Sequence, residues 1–271
     1  MLRSLWTAAS GMIAQQTNVD TIANNLANVN STGYKSESTE FKSLLYQNLQ
    51  SKTTSANGDD KPVSAQVGLG TRISSVTSHY TQGAFTATDS TTDFSVNGDG
   101  FFAVQAADGE TYYTRNGNFT FAQGTDGVML CNSDGYPVVD SNGEPIELSA
   151  DYETSKITID ADGNLCYPDA GNNPAKIGIS IGLYQFNNAS GLEKVGSSLL
   201  QETAASGTPI NEAESTTIKK SKVKQGYLEA SNVEVAAEMV NLITAQRAYE
   251  LNSKAIQAAD DMLSQANNLK R

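Results

Sequence analysis

The sequence predicts an α+β protein, with long N- and C-terminal α-helices pairing as a coiled-coil-like layer and enclosing an all-β central domain. Three observations predict it. Apolar residues recur every seven positions at both ends of the chain, residues alternate in a strand-like run in the middle, and Asn-Gly or Asp-Gly pairs punctuate that middle. With 271 residues the chain is long enough to bury a sizeable core in one or two domains.

The first element is a helix over Arg3–Val29. Leu5, Met12, Val19 and Leu26 are seven apart, and Ala8 and Ile22 widen their stripe. Asn18, Asp20, Asn24 and Asn25 fall off the stripe, and Gly33 supplies a stop. The last element repeats the pattern with Val235, Leu242, Tyr249, Ile256 and Leu263, and Met239 also belongs to its apolar set. Ser231 and Glu234 have capping-box spacing at its start. Each stripe is a seam that requires a partner. These eleven residues (Leu5, Met12, Val19, Ile22, Leu26, Val235, Met239, Leu242, Tyr249, Ile256 and Leu263) are the candidate polymer interface.

Between the helices the period falls to two. Over Lys176–Gln185, Ile177, Ile179, Ile181 and Leu183 alternate with Gly178, Ser180, Gly182 and Tyr184. Eight pairs from Asn97-Gly98 to Asp162-Gly163 mark turns that tolerate positive φ. The expected organisation has three parts. Residues 1–33 with 230–271 form a helical polymerisation domain, and 34–90 with 206–229 form a connector with an extended segment and a flexible loop at 51–66. Residues 91–205 form the all-β domain. Leu44-Leu45-Tyr46 reads equally as helix or strand.

Composition excludes much chemistry. Thirty acidic against 18 basic side chains give a net charge of −12, which disfavours nucleic-acid binding. A single histidine, His79, excludes paired-imidazole sites, and no run of about 18 apolar residues spans a membrane. The N-terminus lacks the apolar core of a signal peptide. Cys131 and Cys166 sit in strand-like runs as small buried thiols, with a bridge between them as the alternative. Most Asp residues precede Gly, which turn chemistry explains without catalysis. Asp160-Ala161-Asp162-Gly163-Asn164 has half a calcium loop's spacing, but glycine falls at the fourth position and Gly171 stands at the twelfth. No catalytic, cofactor or metal residue is assigned. Lys219–Lys224 is the one basic cluster, read as a solvated edge or as a contact for acidic groups on a neighbouring subunit. Identical chains that complete each other's seams with a repeated rise and rotation would build a helical tube.

Motifs at both ends carry a resemblance. Ala23-Asn24-Asn25-Leu26-Ala27-Asn28-Val29-Asn30-Ser31-Thr32-Gly33-Tyr34-Lys35 resembles the N-terminal signature of the bacterial flagellar rod and hook family. Gln246-Arg247-Ala248-Tyr249-Glu250 with Asn252-Ser253-Lys254 resembles its C-terminal signature. Gly98-Asp99-Gly100-Phe101-Phe102 and Tyr113-Thr114-Arg115-Asn116-Gly117-Asn118-Phe119 resemble the start of its β domain. Leu44-Leu45-Tyr46-Gln47 and Val67-Gly68-Leu69-Gly70-Thr71-Arg72 favour a distal over a proximal place in the rod. The resemblance implies a non-enzymatic subunit exported by the flagellar export apparatus to the basal body, in the periplasm or cell-wall region. There it would self-associate into a torque-transmitting hollow tube and join other rod and hook proteins. The alternatives are a proximal rod subunit or a calcium-binding adhesive β-domain protein.

Overall fold

A computed structural model describes residues 2–50, 65–124, 127–149, 152–169 and 173–268. Residues 51–64 of the expected loop, and Gly171, lie outside the described residues. Two helices and a β-rich middle make the chain α+β. By internal contact it parts into two units. The first comprises Met1–Ala27, Glu37–Ser78 and Glu234–Arg271; the second comprises Asn28–Ser36 and His79–Val233. The span 34–90, read from sequence as connector, is thus shared between the two.

In the first unit α1 (Leu2–Ala27) packs on α2 (Val235–Asn268). They run antiparallel, since Gly11 lies against Asn252 while Ile22 shares a groove with Ala245. Small residues permit the approach: Ala8 on α1 and Ala245 and Ala259 on α2 are buried. A different face of α1 meets an antiparallel pair formed by Glu37–Ser43 and Thr71–Ser78. Asn25, off the apolar stripe, is wholly buried there. Its side-chain amide donates to the Glu37 carbonyl (2.8 Å) and accepts from the Glu37 N–H (2.9 Å), so it caps the strand like a further backbone partner. Thr21 and Thr39 hydroxyls meet at 3.0 Å beside it. The ambiguous Leu44-Leu45-Tyr46 segment leads into a strand, Tyr46–Gln50, paired with Ala65–Gly68.

The second unit is antiparallel throughout. Its largest sheet has six strands, in the order Glu193–Gly196, Leu199–Gln201, Thr111–Thr114, Phe101–Gln105, Leu183–Gln185 and Ile210–Asn211. Phe101–Gln105 is apolar on both faces: Phe102 and Val104 enter one core with Phe119, Leu130 and Ile146, while Phe101 and Ala103 enter another with Tyr113, Val139 and Leu200. Burial on both sides explains why this strand reads as a continuous apolar run rather than an alternation.

Several local expectations change. The strand over Lys176–Gln185 is broken at Ile181-Gly182, where the chain passes from the three-stranded sheet of Pro174–Ser180 to the six-stranded sheet of Leu183–Gln185; a Cβ on Gly182 would strike the Asp140 carbonyl. α2 starts at Val235, so Ser231 is not its cap; the Ser231 hydroxyl instead accepts from the Val233 N–H (3.3 Å). α1 stops at Ala27, and Gly33 (φ +69°) lies beyond the helix end, so its left-handed backbone serves a turn. Among the turn glycines Gly98, Gly109, Gly135, Gly143 and Gly163 have positive φ, whereas Gly100, Gly117 and Gly127 do not. These three are required by close approach: a Cβ on Gly117 would run into the Phe94 carbonyl oxygen, and one on Gly127 into that of Leu148. Cys131 and Cys166 are buried free thiols on separate strands. Burial pushes the Cys131 thiol up and so makes it less reactive.

This contrast sets a stability test. Gly109→Ala, at φ +87° in open space, should cost about 1 kcal/mol. Gly117→Ala should cost more than about 2 kcal/mol, because the backbone itself obstructs the methyl group. Urea unfolding of the full chain reads the difference, and equal effects would refute the steric account.

Candidate functional site

The candidate interface residues fall into two groups on the helices. Ile22 is buried, and Leu5, Met12, Val19, Leu26, Leu242, Ile256 and Leu263 are half-buried within the first unit. Val235, Met239 and Tyr249 are exposed. The division has a geometric cause. A seven-residue row precesses by about 20° per heptad around a straight α-helix. The α2 row therefore begins at Val235 well away from the face that carries Ala245 and Ala259 and nears it towards Ile256 and Leu263, although Leu242 is half-buried early in the row and Tyr249, one heptad on, is exposed.

Sequence periodicity placed Met262 beside the C-terminal seam and missed the rest of a second, outward apolar set. On α2, Val240, Leu251 and Met262 recur every eleven residues, close to three turns, so they align along one side. All three are exposed, as is Ile243. On α1, Trp6 (76% exposed) and Ile13 (65%) lie seven apart on one face. The stronger heptad pattern on the same helices masks these rows in the sequence. A groove of about 470 Å³ also opens between the helices and the Glu37–Ser43 strand, lined by Asn18, Ile22, Phe41, Glu238, Asn241 and Ala245.

The second unit holds a buried charge cluster. Glu229, fully buried, accepts from the Lys35 ammonium (2.6 Å), the Gly83 N–H (2.9 Å) and the Arg115 guanidinium (3.4 Å). Lys35 also donates to the Thr81 carbonyl (2.8 Å), and Arg115 stacks on Phe101 with its guanidinium carbon 4.8 Å from the ring centre. The Gly33 N–H donates to the Glu229 carbonyl (2.8 Å), and a Cβ on Gly33 would collide with the Arg115 and Asn116 backbone. Asn232 closes the same region, its amide accepting from the Ser36 N–H (2.7 Å) and donating to the His79 carbonyl (2.8 Å). Desolvation holds Lys35 below its ordinary 10.5, against the opposing pull of Glu229. Arg115 is likewise lowered by burial.

The remaining charged candidates serve local structure. Asp160 accepts from the Ala161 N–H (2.7 Å) and pairs with Lys176 (3.6 Å), which is turn work. In the basic segment, Lys222 and Lys224 face outward from the strand Lys222–Gln225 while Val223 is buried, and Lys224 lies over the Phe85 and Tyr227 rings. Among the described residues no group of three or more His, Cys, Asp or Glu could hold a metal ion. No described helix is long and apolar enough to cross a membrane.

Terminal helices with unburied apolar rows, joined to an antiparallel β-rich middle, make a structural building block of the flagellar rod-and-hook class. Residues 5–35 match the family described as flagella basal body rod protein. Residues 95–167 match the flagellar hook protein FlgE/F/G D1 domain, and 224–269 match the flagellar basal body rod FlgEFG protein C-terminal family. The chain is 44% identical, over the whole of both chains, to flagellar basal-body rod protein FlgG of Borreliella burgdorferi. It is 40% identical to FlgG of Buchnera aphidicola, over 99% of this chain and all of that one. It is 36% identical to FlgG of Bacillus subtilis over the whole of both chains. The chain belongs to the flagellar basal-body rod protein family of these FlgG relatives.

Two outcomes follow for the charge cluster. Glu229→Gln leaves two buried cations facing a neutral amide and should destabilise the chain by about 3–5 kcal/mol in urea unfolding. Lys35, lowered in the folded state, binds its proton more weakly there than in the unfolded chain. Its contribution to stability is therefore full above pH 10.5 and is lost as pH falls through the lowered native value. Relative to Lys35→Met, the unmodified chain should gain stability as pH rises through that window; a flat difference would overturn the assignment.

Proposed function

We propose that this chain is a distal rod subunit that polymerises into a hollow tube and transmits torque from motor to hook. The observation that carries the reading is the unburied apolar surface on both helices. Val240, Ile243, Leu251 and Met262 on α2, and Trp6 and Ile13 on α1, remain exposed after α1 and α2 have packed on each other. Burying a side chain of this kind contributes about 1.5–3 kcal/mol. Repetition along a tube multiplies that contribution at every subunit.

In this reading Leu5, Met12, Val19, Ile22, Leu26, Leu242, Ile256 and Leu263 build a coiled-coil-like seam within the chain. Val235, Met239 and Tyr249 join the exposed rows as contacts to neighbouring copies. The polymerising part comprises 1–33 and 230–271, with 34–90 and 206–229 linking it to the β domain of 91–205. Membership of the rod family supports a basal-body location beside other rod and hook proteins. Delivery by the flagellar export apparatus, into the periplasm or cell wall, belongs to the same proposal. The work is mechanical, without catalysis or cofactor.

The test separates folding from assembly. Ile243→Asp and Leu251→Asp place a carboxylate on the exposed face, so monomer stability should change by less than about 0.5 kcal/mol. Either should abolish filament formation and motility, because burial of an unpaired carboxylate costs several kcal/mol. Normal rods from both variants would remove these faces from the interface.

A further inference from the structure

The second unit contains a cavity of about 180 Å³ whose lining includes three cations, Lys35, Arg115 and Lys194, and no carboxylate among the described residues. Its apolar walls include Tyr80, Leu199 and Leu200. Glu229 contacts both buried cations, while Asp99 acts on both, and Glu212 on Arg115, from further away. The Arg115 Nε–H is buried and has no hydrogen-bond acceptor. A buried donor without an acceptor and a lining that holds cations but no carboxylate together favour an anion with a short apolar stem.

The cavity opens beside an edge strand. Lys194, on the outermost strand of the six-stranded sheet, is exposed, with its ammonium 5.1 Å from the centre of the Tyr34 ring. At the tip of the adjoining hairpin, Ser197 (φ +48°) and Ser198 (φ +60°) both hold left-handed backbone that serine rarely adopts. Positive φ at both positions is what a two-residue hairpin turn requires, so the pairing of the two strands fixes the tip.

We infer that this cavity receives an acidic side chain from a second copy of the chain. The inference rests on the self-association proposed above. Charge selects the occupant: every copy carries 30 acidic against 18 basic side chains, so copies repel one another unless carboxylates of one meet cations of the next. A socket that backs the exposed Lys194 with two buried cations serves this better than Lys222 and Lys224, which lie on a solvated strand face.

Zero-length coupling tests it. Isotopically heavy and light full-length copies are mixed, assembled and treated with a carbodiimide, which joins an amine to a carboxylate held beside it. Mass spectrometry should find Lys194 joined to an Asp or Glu of the other isotope in assemblies, and not in monomer. Lys194→Glu should raise the concentration for half-assembly about tenfold. Lys222→Glu, with the same change in net charge, should raise it less than about twofold. Assemblies in which Lys194 forms only links within one chain, or equal effects of the two variants, overturn the inference while leaving self-association intact. A chain that stays monomeric at every concentration overturns both. Benzoate binding to the monomer, without heavy–light links at Lys194, would make the cavity a small-anion site and overturn the assignment to a second copy.

Discussion

The structure depends on one buried carboxylate. Glu229 holds Lys35, Arg115 and the Gly83 backbone at once, joining segments that lie far apart in the chain. Taking these charges out of water is expensive, and the arrangement persists because nearly every donor has an acceptor. What the cluster supplies is position. Lys35 follows closely on the end of α1, and Glu229 closely precedes α2. Within the second unit, the segment that follows α1 and the one that precedes α2 are therefore held together, through the collision-limited packing of Gly33 on Arg115 and through Asn232 on Ser36.

Small residues lie where the helices approach most closely, and part of the bulky apolar surface stays outside. Alanines and Gly11 lie where α1 and α2 approach, and an asparagine joins α1 to its strand. The bulky residues Trp6, Ile13, Leu251 and Met262 remain outside. A helix pair that used its largest side chains internally would be more stable as a monomer and would offer less apolar surface to neighbours.

The sequence-based reading reached the helices and the β-rich middle because both rest on periodicity, which local composition writes directly. It reached the family through motifs whose physical content appears only in three dimensions. Lys35 and Arg115 are letters in two of those motifs, but their shared partner Glu229 lies in neither, and nothing local announces an ion cluster closed across such a distance. Asn25 was invisible for a related reason: a polar residue off the stripe reads as solvent-facing unless its strand partner is known. Turn glycines were legible as turns, yet Gly117 and Gly127 are fixed by neighbouring carbonyls rather than by φ, a distinction carried only by packing. The exposed α2 row escaped because eleven-residue spacing is masked by the stronger heptad pattern.

The bond between Lys35 and Glu229 spans 194 positions of sequence. Contacts of such separation form late, since the entropy of closing so long a loop must be met before the contact rewards it. A chain emerging from a ribosome exposes Lys35 almost at once and Glu229 almost last. For most of its synthesis, then, the molecule has one half of its latch and no counterpart. The segments that flank the helices can close on each other only once Glu229 has been made.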